Sequence, residues 1–171
     1  MTATPIASAP QPNEGRLSTR ALGASDIVDF RSLLALFGSA FDDRETYLGA
    51  QPDDNYLRRL LASDTFIAVA AFDGATLIGG IAAYILPKFE QARSELYIYD
   101  LAVDAQYRRQ GVATALIAEL RKIAVGRGVY GIYVQADYGD DPALALYDKL
   151  GAREEVLHFD IAVPASHGVD K

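Results

Sequence analysis

The spacing of apolar and polar residues along the chain predicts a series of helices that begins near Ser25. Ser25 is a residue type that can cap a helix, and apolar residues recur at helical spacing over residues 27–37 and again over 56–61. A longer amphipathic helix is predicted over 112–124, where the apolar residues lie on one side. A short last helix is predicted over 142–151, with a proline in its first turn and a glycine past its end.

Strands are predicted where short runs are mostly apolar or alternate between apolar and polar residues. These runs occupy residues 65–73, 76–86, 96–104, 129–137 and 154–163. Asp73 and Gly74 make a turn between the first two runs, which predicts a hairpin. The order is two helices, a hairpin, and then strand, helix, strand, helix, strand, which predicts an α/β fold with a mixed sheet.

Length and composition favour a single domain between two polar segments. The chain has 171 residues, of which 50% are hydrophobic, and this is enough for one core. Residues 1–24 are predicted to form a loose leader, 25–163 the domain, and 164–171 a polar tail. The leader lacks the pattern of a secretory signal, and no apolar run is long enough to cross a bilayer, so we expect a cytoplasmic protein.

The charge balance and the absence of cysteine narrow the classes of function. With 16 basic and 23 acidic residues the formal charge is −7, which disfavours nucleic acid and anionic membranes as partners and attracts cations. Many soluble proteins carry such a charge, so it becomes informative only where the acids converge on a pocket. The absence of cysteine excludes disulfides, thiolate metal sites and a cysteine nucleophile, and His158 and His167 do not form a metal-binding pattern.

The segment QYRRQGVATALI places two arginines and a glycine directly before the predicted third helix. The first N–H groups of a helix have no partner within it, and the helix dipole adds partial positive charge at that end. Gly111 and Ala113 would let an anion approach the main chain closely, and Arg108 or Arg109 would add charged hydrogen bonds. The sequence matches neither of the common glycine-rich nucleotide loops, and an ordinary helix start with solvated arginines is the alternative.

Acidic residues occur at three places where they carry chemical meaning: at Asp100, in the loop DYGDDP, and at Glu90 in the loop PKFEQARSE. Asp100 interrupts the apolar strand LYIYDLAV, where a carboxylate is costly unless it is paired or functional. Strand alternation predicts that Asp100 points to the sheet face opposite to that of Tyr97, Tyr99 and Leu101, unless a bulge resets the alternation. An ion pair with Arg93 or Arg108 is the structural alternative. In the loop DYGDDP we expect Asp141 to cap the next helix, which leaves Asp140 free.

The spacing R-x-x-G-x-A across Arg108, Gly111 and Ala113 resembles the pyrophosphate-binding signature of the GCN5-related N-acetyltransferases, which bind acetyl-CoA. The preceding strand DLAVD and the later ALALYDKLGA resemble two further elements of that family, in the same order. The resemblance implies a GNAT fold, in which a mixed central sheet with two splayed parallel strands is flanked by helices. The pantetheine arm of the coenzyme enters between those strands like an added strand.

The resemblance assigns coenzyme contacts to one strand edge, the arginine–glycine turn and a later tyrosine. The implied residues are Leu101, Ala102, Val103, Arg108, Arg109, Gln110, Gly111, Val112, Ala113, Thr114 and Tyr147. Tyr147 would lie near the thioester sulfur and protonate the departing thiolate, since a tyrosine is ordinarily protonated at neutral pH.

Longer segments resemble more closely the aminoglycoside 3-N-acetyltransferases of type I, the gentamicin-acetylating group. These segments include FDDRETY, AAYILPKFEQARSELYIYDLAV and YVQADYGDDPALALYDKLGAREEVLHFDI, and the similarity covers roughly residues 25–163. It implies acetyl transfer to the 3-amino group of the deoxystreptamine ring, an acidic drug site, antibiotic resistance as the biological role, and a homodimer. Asp100, Asp140, Asp141 and Glu90 are the expected drug-binding acids, and Asp100 and Tyr147 the expected catalytic residues.

Two alternatives stay open at this point. The first is an enzyme of the same fold that acetylates polyamines or protein amines, because acidic residues alone do not select a drug over spermidine. The second is a non-catalytic module that binds an acyl-CoA. The absence of cysteine favours direct transfer without an acyl-enzyme thioester.

Overall fold

The computed structural model describes residues 17–163, and the chain divides into two compact units after Gln135. The elements of the first unit, in chain order, are β1 (Leu17–Ala21), α1 (Ile27–Ala40), a one-turn π-helix (Glu45–Gly49), α2 (Asp54–Leu61), β2 (Phe66–Asp73), β3 (Thr76–Pro87), β4 (Ser94–Val103), a 3-10 turn (Ala105–Tyr107), α3 (Val112–Gly126) and β5 (Val129–Val134). The described part of the second unit contains α4 (Asp141–Tyr147).

The strands of the first unit form one five-stranded sheet in the order β1-β2-β3-β4-β5. Neighbouring strands are antiparallel from β1 to β4, whereas β4 and β5 are parallel and are joined through α3. A parallel pair requires such a crossover connection, because the chain must return to the end of the sheet where the first strand began before it enters the second strand. The predicted α/β fold with a mixed sheet is confirmed. Within residues 17–163, no helix has the length and apolar character needed to span a membrane.

Helices α1 and α3 cover opposite faces of the sheet, and two adjacent glycines of β3 show how closely they pack. Successive residues of a strand point to opposite faces. A Cβ atom placed on Gly80 would lie 2.4 Å from Cδ1 of Leu33 in α1, whereas one placed on Gly79 would lie 3.3 Å from Cγ1 of Val112 in α3. The absence of a side chain at Gly80 therefore gives Leu33 its place on the sheet.

The core on the α1 face combines large side chains of the helix with small side chains of the strands. Phe30, Leu33 and Phe37 of α1 are buried there. The strand residues beneath them include Ala68, Ala70, Ala82 and Ala102. Because methyl groups occupy so little space, the helix packs close to the backbone of the sheet. Asp100 lies in the same sheet, two residues before Ala102.

Two predictions about the ends of the domain are wrong. Residues 17–21 fall in the predicted leader but form the edge strand β1, because they pair with β2 in spite of a sequence without an apolar pattern. The strand predicted over 154–163 has no regular secondary structure, and its apolar side chains from Val156 to Val163 are exposed. The described part of the second unit offers it no strand to pair with. The remaining predicted leader, 1–16, and the tail, 164–171, lie outside the described residues.

Candidate active site

The parallel strands β4 and β5 separate part-way along their length. Their pairing runs from Ser94 opposite Val129 to Ile98 opposite Val134, where β5 ends. Beyond that point Leu101, Ala102 and Val103 remain paired with β3 on their other side. Among the described residues no strand pairs with this stretch of β4 on the β5 side. Main-chain groups of β4 are therefore open to an added extended chain.

A β-bulge at Tyr99 determines which way Asp100 faces. In the register with β3, Ala83 is opposite Ile98 and Ala82 is opposite Asp100, so Tyr99 is the extra residue. Ala82 belongs to the core on the α1 face, and directly paired residues share a face, so Asp100 also lies on the α1 face. Uninterrupted alternation would place Asp100 and Tyr97 on different faces of the sheet. This prediction is wrong, because the bulge resets the alternation and puts both on the same face.

Two of the last three residues of the loop from β4 to α3 have left-handed backbone conformations. Arg109 has a φ of 61° and Gly111 a φ of 82°. The side chain of Gln110 donates from Nε2 to the main-chain oxygen of Gln106 at 2.9 Å, and Arg108 donates from Nε to that of Val103 at 3.2 Å. The loop is thus fixed from within, and it delivers the chain to Val112, the first residue of α3.

The start of α3 has the features that a phosphate group requires. No side chain caps the helix at Gly111, so the N–H groups of its first turn are available to a ligand. A Cβ atom placed on Gly111 would meet nothing within 4 Å, which shows open space beside the loop. Arg108 and Arg109 are exposed, and neither has an acidic partner within the described part of the chain. This site therefore fits a diphosphate.

The predicted contacts at this site differ in what each side chain can offer. Gln110 and Thr114 are exposed, and Ala113 is partly exposed. The side chain of Val112 is buried between α3 and the sheet, next to Gly79. Only its main-chain N–H can therefore reach a ligand. Sequence pattern alone does not separate these cases, because all four residues belong to the same short segment.

Asp100 is a half-buried carboxylate without a cationic partner among the described residues. Its Oδ1 accepts a hydrogen bond from the hydroxyl of Tyr47 at 3.1 Å. The expected alternative of an ion pair is wrong, because Arg93 pairs with Glu90 and Arg108 binds the main chain of Val103. Burial raises the pKa of Asp100 above its usual value, while the hydrogen bond from Tyr47 opposes that shift. Such a group is suited to bind a cation and to accept a proton.

Three tyrosines of β3 and β4, which we call the tyrosine face (Tyr84, Tyr97 and Tyr99), lie beside Asp100. Tyr99 makes edge contacts with both others, at centroid distances of 5.8 and 6.0 Å. The side chain of Tyr99 is 64% exposed. Burial, together with neighbouring tyrosines and the charge of Asp100, raises the pKa of Tyr84 and Tyr97. An aromatic surface next to one carboxylate can hold a ligand that combines carbon rings with ammonium groups.

Sequence reasoning did not identify Tyr47 or the tyrosine face as part of the site. Tyr47 lies in the one-turn π-helix, 53 residues before Asp100, and no local pattern connects the two. Tyr84, Tyr97 and Tyr99 lie in predicted strands, where tyrosine is a common residue and does not by itself indicate a site. No local sequence pattern signals this arrangement, because the bulge that brings Tyr97, Tyr99 and Asp100 to one side of β4 is seen only in the register with β3.

The second unit, described by itself, reverses the expected roles of its two aspartates. Asp140 is the helix cap, because its side chain accepts a hydrogen bond from the main-chain N–H of Ala143 at 3.1 Å, and Asp141 is the first residue of α4. One oxygen of Asp140 remains for another partner. Tyr147 is the last residue of α4, and burial, with a smaller effect of Asp140, raises its pKa to about 12.

The remaining predicted acid, Glu90, is already engaged in ion pairs. Its carboxylate lies 3.6 Å from the side-chain nitrogens of both Lys88 and Arg93. Because these two cations already neutralise its carboxylate, Glu90 attracts a cationic ligand less strongly than an unpaired acid would. Over residues 17–163, no three side chains of the metal-binding types converge on one point.

Comparison with known proteins gives three informative matches. An N-alpha-acetyltransferase of Sulfurisphaera tokodaii is 32% identical over 96 residues, and this match covers 50% of this chain and only 58% of that protein. An aminoglycoside acetyltransferase from an uncultured soil metagenomic sample is 55% identical, with a TM-score of 0.85, and covers 86% of this chain and 99% of its own. A second such enzyme, crystallised with sisomicin, is 30% identical with a TM-score of 0.81, and covers 88% and 99%.

The family comparison agrees with the fold. The model of the acetyltransferase (GNAT) family matches residues 30–152, which include the bulged strand β4, the loop before α3 and α4. The mixed sheet, the separation of β4 from β5 and the uncapped start of α3 are the features that the sequence resemblance predicts. The chain belongs to the acetyltransferase (GNAT) family.

Proposed function

We propose that the chain transfers the acetyl group of acetyl-CoA to an aminoglycoside, at the 3-amino group of the deoxystreptamine ring, and so inactivates the drug. The observation that carries this proposal is Asp100, a half-buried carboxylate without a cationic partner among the described residues, next to the open edge of β4. The similarity to two aminoglycoside acetyltransferases supports the substrate class. The choice of the 3-amino group, and of gentamicin as a substrate, rests on the sequence resemblance.

The residues at the start of α3 are proposed to bind the coenzyme. The N–H groups of Gly111, Val112 and Ala113, with the exposed Arg108 and Arg109, would hold the diphosphate. The main chain of Leu101–Val103 would pair with the amides of the pantetheine arm. Bound acetyl-CoA supplies a thioester carbonyl that an uncharged amine can attack.

Asp100 is proposed to bind the attacking amine and to receive its proton, directly or through a water molecule. An ammonium group is held by a carboxylate and cannot act as a nucleophile until it loses a proton. Because burial raises the pKa of Asp100, its carboxylate is a stronger base than an exposed aspartate. The tyrosine face would lie against the sugar rings, with the exposed ring of Tyr99 foremost.

Tyr147 and Asp140 complete the proposal from the second unit. Tyr147 would donate its proton to the departing thiolate, and its raised pKa keeps the hydroxyl protonated at neutral pH. Asp140 would hold a further ammonium group of the drug with the oxygen that its capping hydrogen bond leaves unused. No cysteine is present to form an acyl-enzyme thioester, which favours direct transfer. The amine nitrogen would bond to the thioester carbon, the carbon–sulfur bond would then break, and the departing thiolate would take the proton of Tyr147.

A second candidate function is acetylation of protein amines, which the similarity to an N-alpha-acetyltransferase favours. The two candidates differ in what must lie beside Asp100. A protein amino terminus brings one charge and a main chain, whereas an aminoglycoside brings several ammonium groups and sugar rings. The aromatic surface of Tyr99 beside a lone carboxylate favours the drug.

An acceptor panel tests the proposal. Release of free thiol from acetyl-CoA is measured with gentamicin, with an aminoglycoside that lacks the 3-amino group, with spermidine and with peptides that carry a free amino terminus. We expect thiol release with gentamicin and none with the drug that lacks the 3-amine. Turnover of spermidine or peptides in the absence of any turnover of drugs would contradict the proposal. Coenzyme binding without thiol release on any amine would indicate a non-catalytic module.

A further inference from the structure

The hydroxyl of Tyr47 holds one of the two oxygens of Asp100. It donates to Oδ1 at 3.1 Å, and it is the only side chain within residues 17–163 that forms a hydrogen bond with this carboxylate. Oδ2 is therefore the oxygen left for a ligand.

The ring of Tyr47 is fixed in place by α1. It packs against Phe37 and Phe41, with centroid distances of 5.8 and 5.9 Å. A Cβ atom placed on Gly38 would lie 3.3 Å from Cβ of Tyr47, so the absence of a side chain at Gly38 admits the tyrosine. The position of the Tyr47 ring is thus set by the C-terminal end of α1 and by Phe41, the residue that follows it.

The main chain of Tyr47 is also held, through a hydrogen bond to a neighbouring side chain. Its carbonyl oxygen accepts a hydrogen bond from Nε2 of Gln51 at 3.1 Å. Oε1 of Gln51 in turn accepts from Nη1 of Arg31 in α1 at 2.6 Å. Tyr47 also lies in a one-turn π-helix, a rare element that occurs often at functional sites.

We infer that Tyr47 is a positioning residue for Asp100: it fixes the carboxylate so that one oxygen faces the acceptor amine. The inference rests on the proposed function, because it takes Asp100 to be the group that binds the amine. A carboxylate free to rotate would share the ammonium group between two orientations, and the amine would reach the thioester less often in the attacking geometry. The bond also stabilises the charged form of the carboxylate.

The groups around the pair supply no compensating charge. Tyr47 approaches Asp100 from the π-helix, Tyr84 from β3, and Tyr97 and Tyr99 from β4. Asp43 also acts electrostatically on Tyr47, and it is acidic. Removal of the Tyr47 hydroxyl therefore leaves the charge of Asp100 without a donor among the described residues.

The test combines Tyr47→Phe with the matched control Tyr56→Phe. Tyr56 lies in α2 and is half exposed, and its hydroxyl forms no hydrogen bond with a described residue. We expect Tyr47→Phe to move the acidic limb of kcat/KM to higher pH and to lower kcat/KM at pH 6 by about tenfold, because the hydrogen bond favours the ionised carboxylate. We expect Tyr56→Phe to keep the wild-type profile. Identical pH profiles for Tyr47→Phe and wild type would overturn the inference.

A double-substitution cycle tests whether Tyr47 acts through Asp100. Once Asp100→Asn has removed the charge, the added change Tyr47→Phe is expected to cause no further loss of kcat. Losses that multiply independently would overturn the inference, because they would place the role of Tyr47 elsewhere.

A carboxyl titration separates this inference from the proposed function. The ¹³C resonance of Asp100, identified by its absence in Asp100→Asn, is followed against pH without any substrate. We expect its midpoint at higher pH in Tyr47→Phe than in wild type or Tyr56→Phe, and an unchanged midpoint would overturn the inference. Wild-type protein that acetylates no aminoglycoside would sink the proposed function and leave this titration valid.

Discussion

The side chain of Arg108 donates a hydrogen bond from Nε to the main-chain oxygen of Val103 at 3.2 Å, so the end of β4 is tied to the loop that leads into α3. The guanidinium has further donors that are free to bind a ligand, since only Nε is used in this bond. The open edge of β4 and the uncapped start of α3 are therefore held in a fixed relation, and we expect a long ligand to contact both.

Gly111 provides a prediction about coenzyme binding that has a close control in Gly128. Both glycines have left-handed φ angles, of 82° and 66°, and neither has an atom within 4 Å of its missing Cβ. Replacement by alanine should cost each about 1 kcal/mol of stability through backbone strain. We expect only Gly111→Ala to raise the KM for acetyl-CoA, because Gly128 follows the opposite end of α3. Equal KM changes in the two variants would remove Gly111 from the coenzyme site.

Asp100→Asn should stabilise the fold and abolish transfer. The raised pKa of Asp100 means that the folded state binds its proton more tightly than the unfolded state, whose value is near the usual 3.8. As pH rises from that value through the folded-state pKa, the wild-type free energy of unfolding falls. We expect a higher Tm for Asp100→Asn at pH 8, a gain that shrinks as the pH is lowered, and a loss of kcat of at least about 100-fold. Thermal melts across pH, with thiol-release assays, measure both; a lower Tm at pH 8 would contradict the burial argument.

Tyr147→Phe tests the proposed proton donor, with Tyr138→Phe as the control in the same unit. Tyr138 is 87% exposed, so loss of its hydroxyl should leave the rate unchanged. The pKa of Tyr147 is raised to about 12, so its hydroxyl stays protonated through the neutral range. We expect Tyr147→Phe to lower kcat by about 10- to 100-fold, with the fold retained. Wild-type kcat in this variant would assign thiolate protonation to another group.

Gly80→Ala tests the packing of α1 on the sheet. The added methyl group would lie 2.4 Å from Cδ1 of Leu33 and 2.8 Å from the main-chain oxygen of Val69, so one of them must move. We expect a loss of about 1–3 kcal/mol in the free energy of unfolding, the usual cost of overpacking. Gly126→Ala, at the end of α3 with nothing within 4 Å, is the control and should not destabilise the fold. Equal stability of Gly80→Ala and wild type in urea would refute this packing.

The elements that sequence analysis predicted well are those with a strong local pattern. The hairpin around Gly74 and the amphipathic helix α3 follow from apolar spacing and turn residues that act within about ten positions. The loop before α3 was predicted for the same reason, because Arg108, Gly111 and Ala113 all lie within six positions of the sequence. Interactions between residues close in sequence are enough to specify these elements.

The features that were missed depend on contacts between distant segments. Strand β1 forms because it pairs with β2, and the bulge at Tyr99 is visible only in the register with β3. The hydrogen bond from Tyr47 to Asp100 likewise joins residues that are 53 positions apart in the sequence. At two helix starts the predicted capping residue is off by one position. Asp26 directly precedes α1, where Ser25 was expected, and Asp140 caps α4, where Asp141 was expected. Adjacent residues with similar capping preferences are separated only by the final backbone angles.

The measurement that tests the central claim most directly is the structure of the product formed from gentamicin and acetyl-CoA, determined by NMR, with wild-type protein and Asp100→Asn compared under the same conditions. We predict that the wild type yields drug acetylated at the 3-amino nitrogen, and that Asp100→Asn yields at most about one hundredth as much per unit time. Unmodified gentamicin with the wild type, acetylation at a different amine, or equal yields from the two proteins would contradict the account.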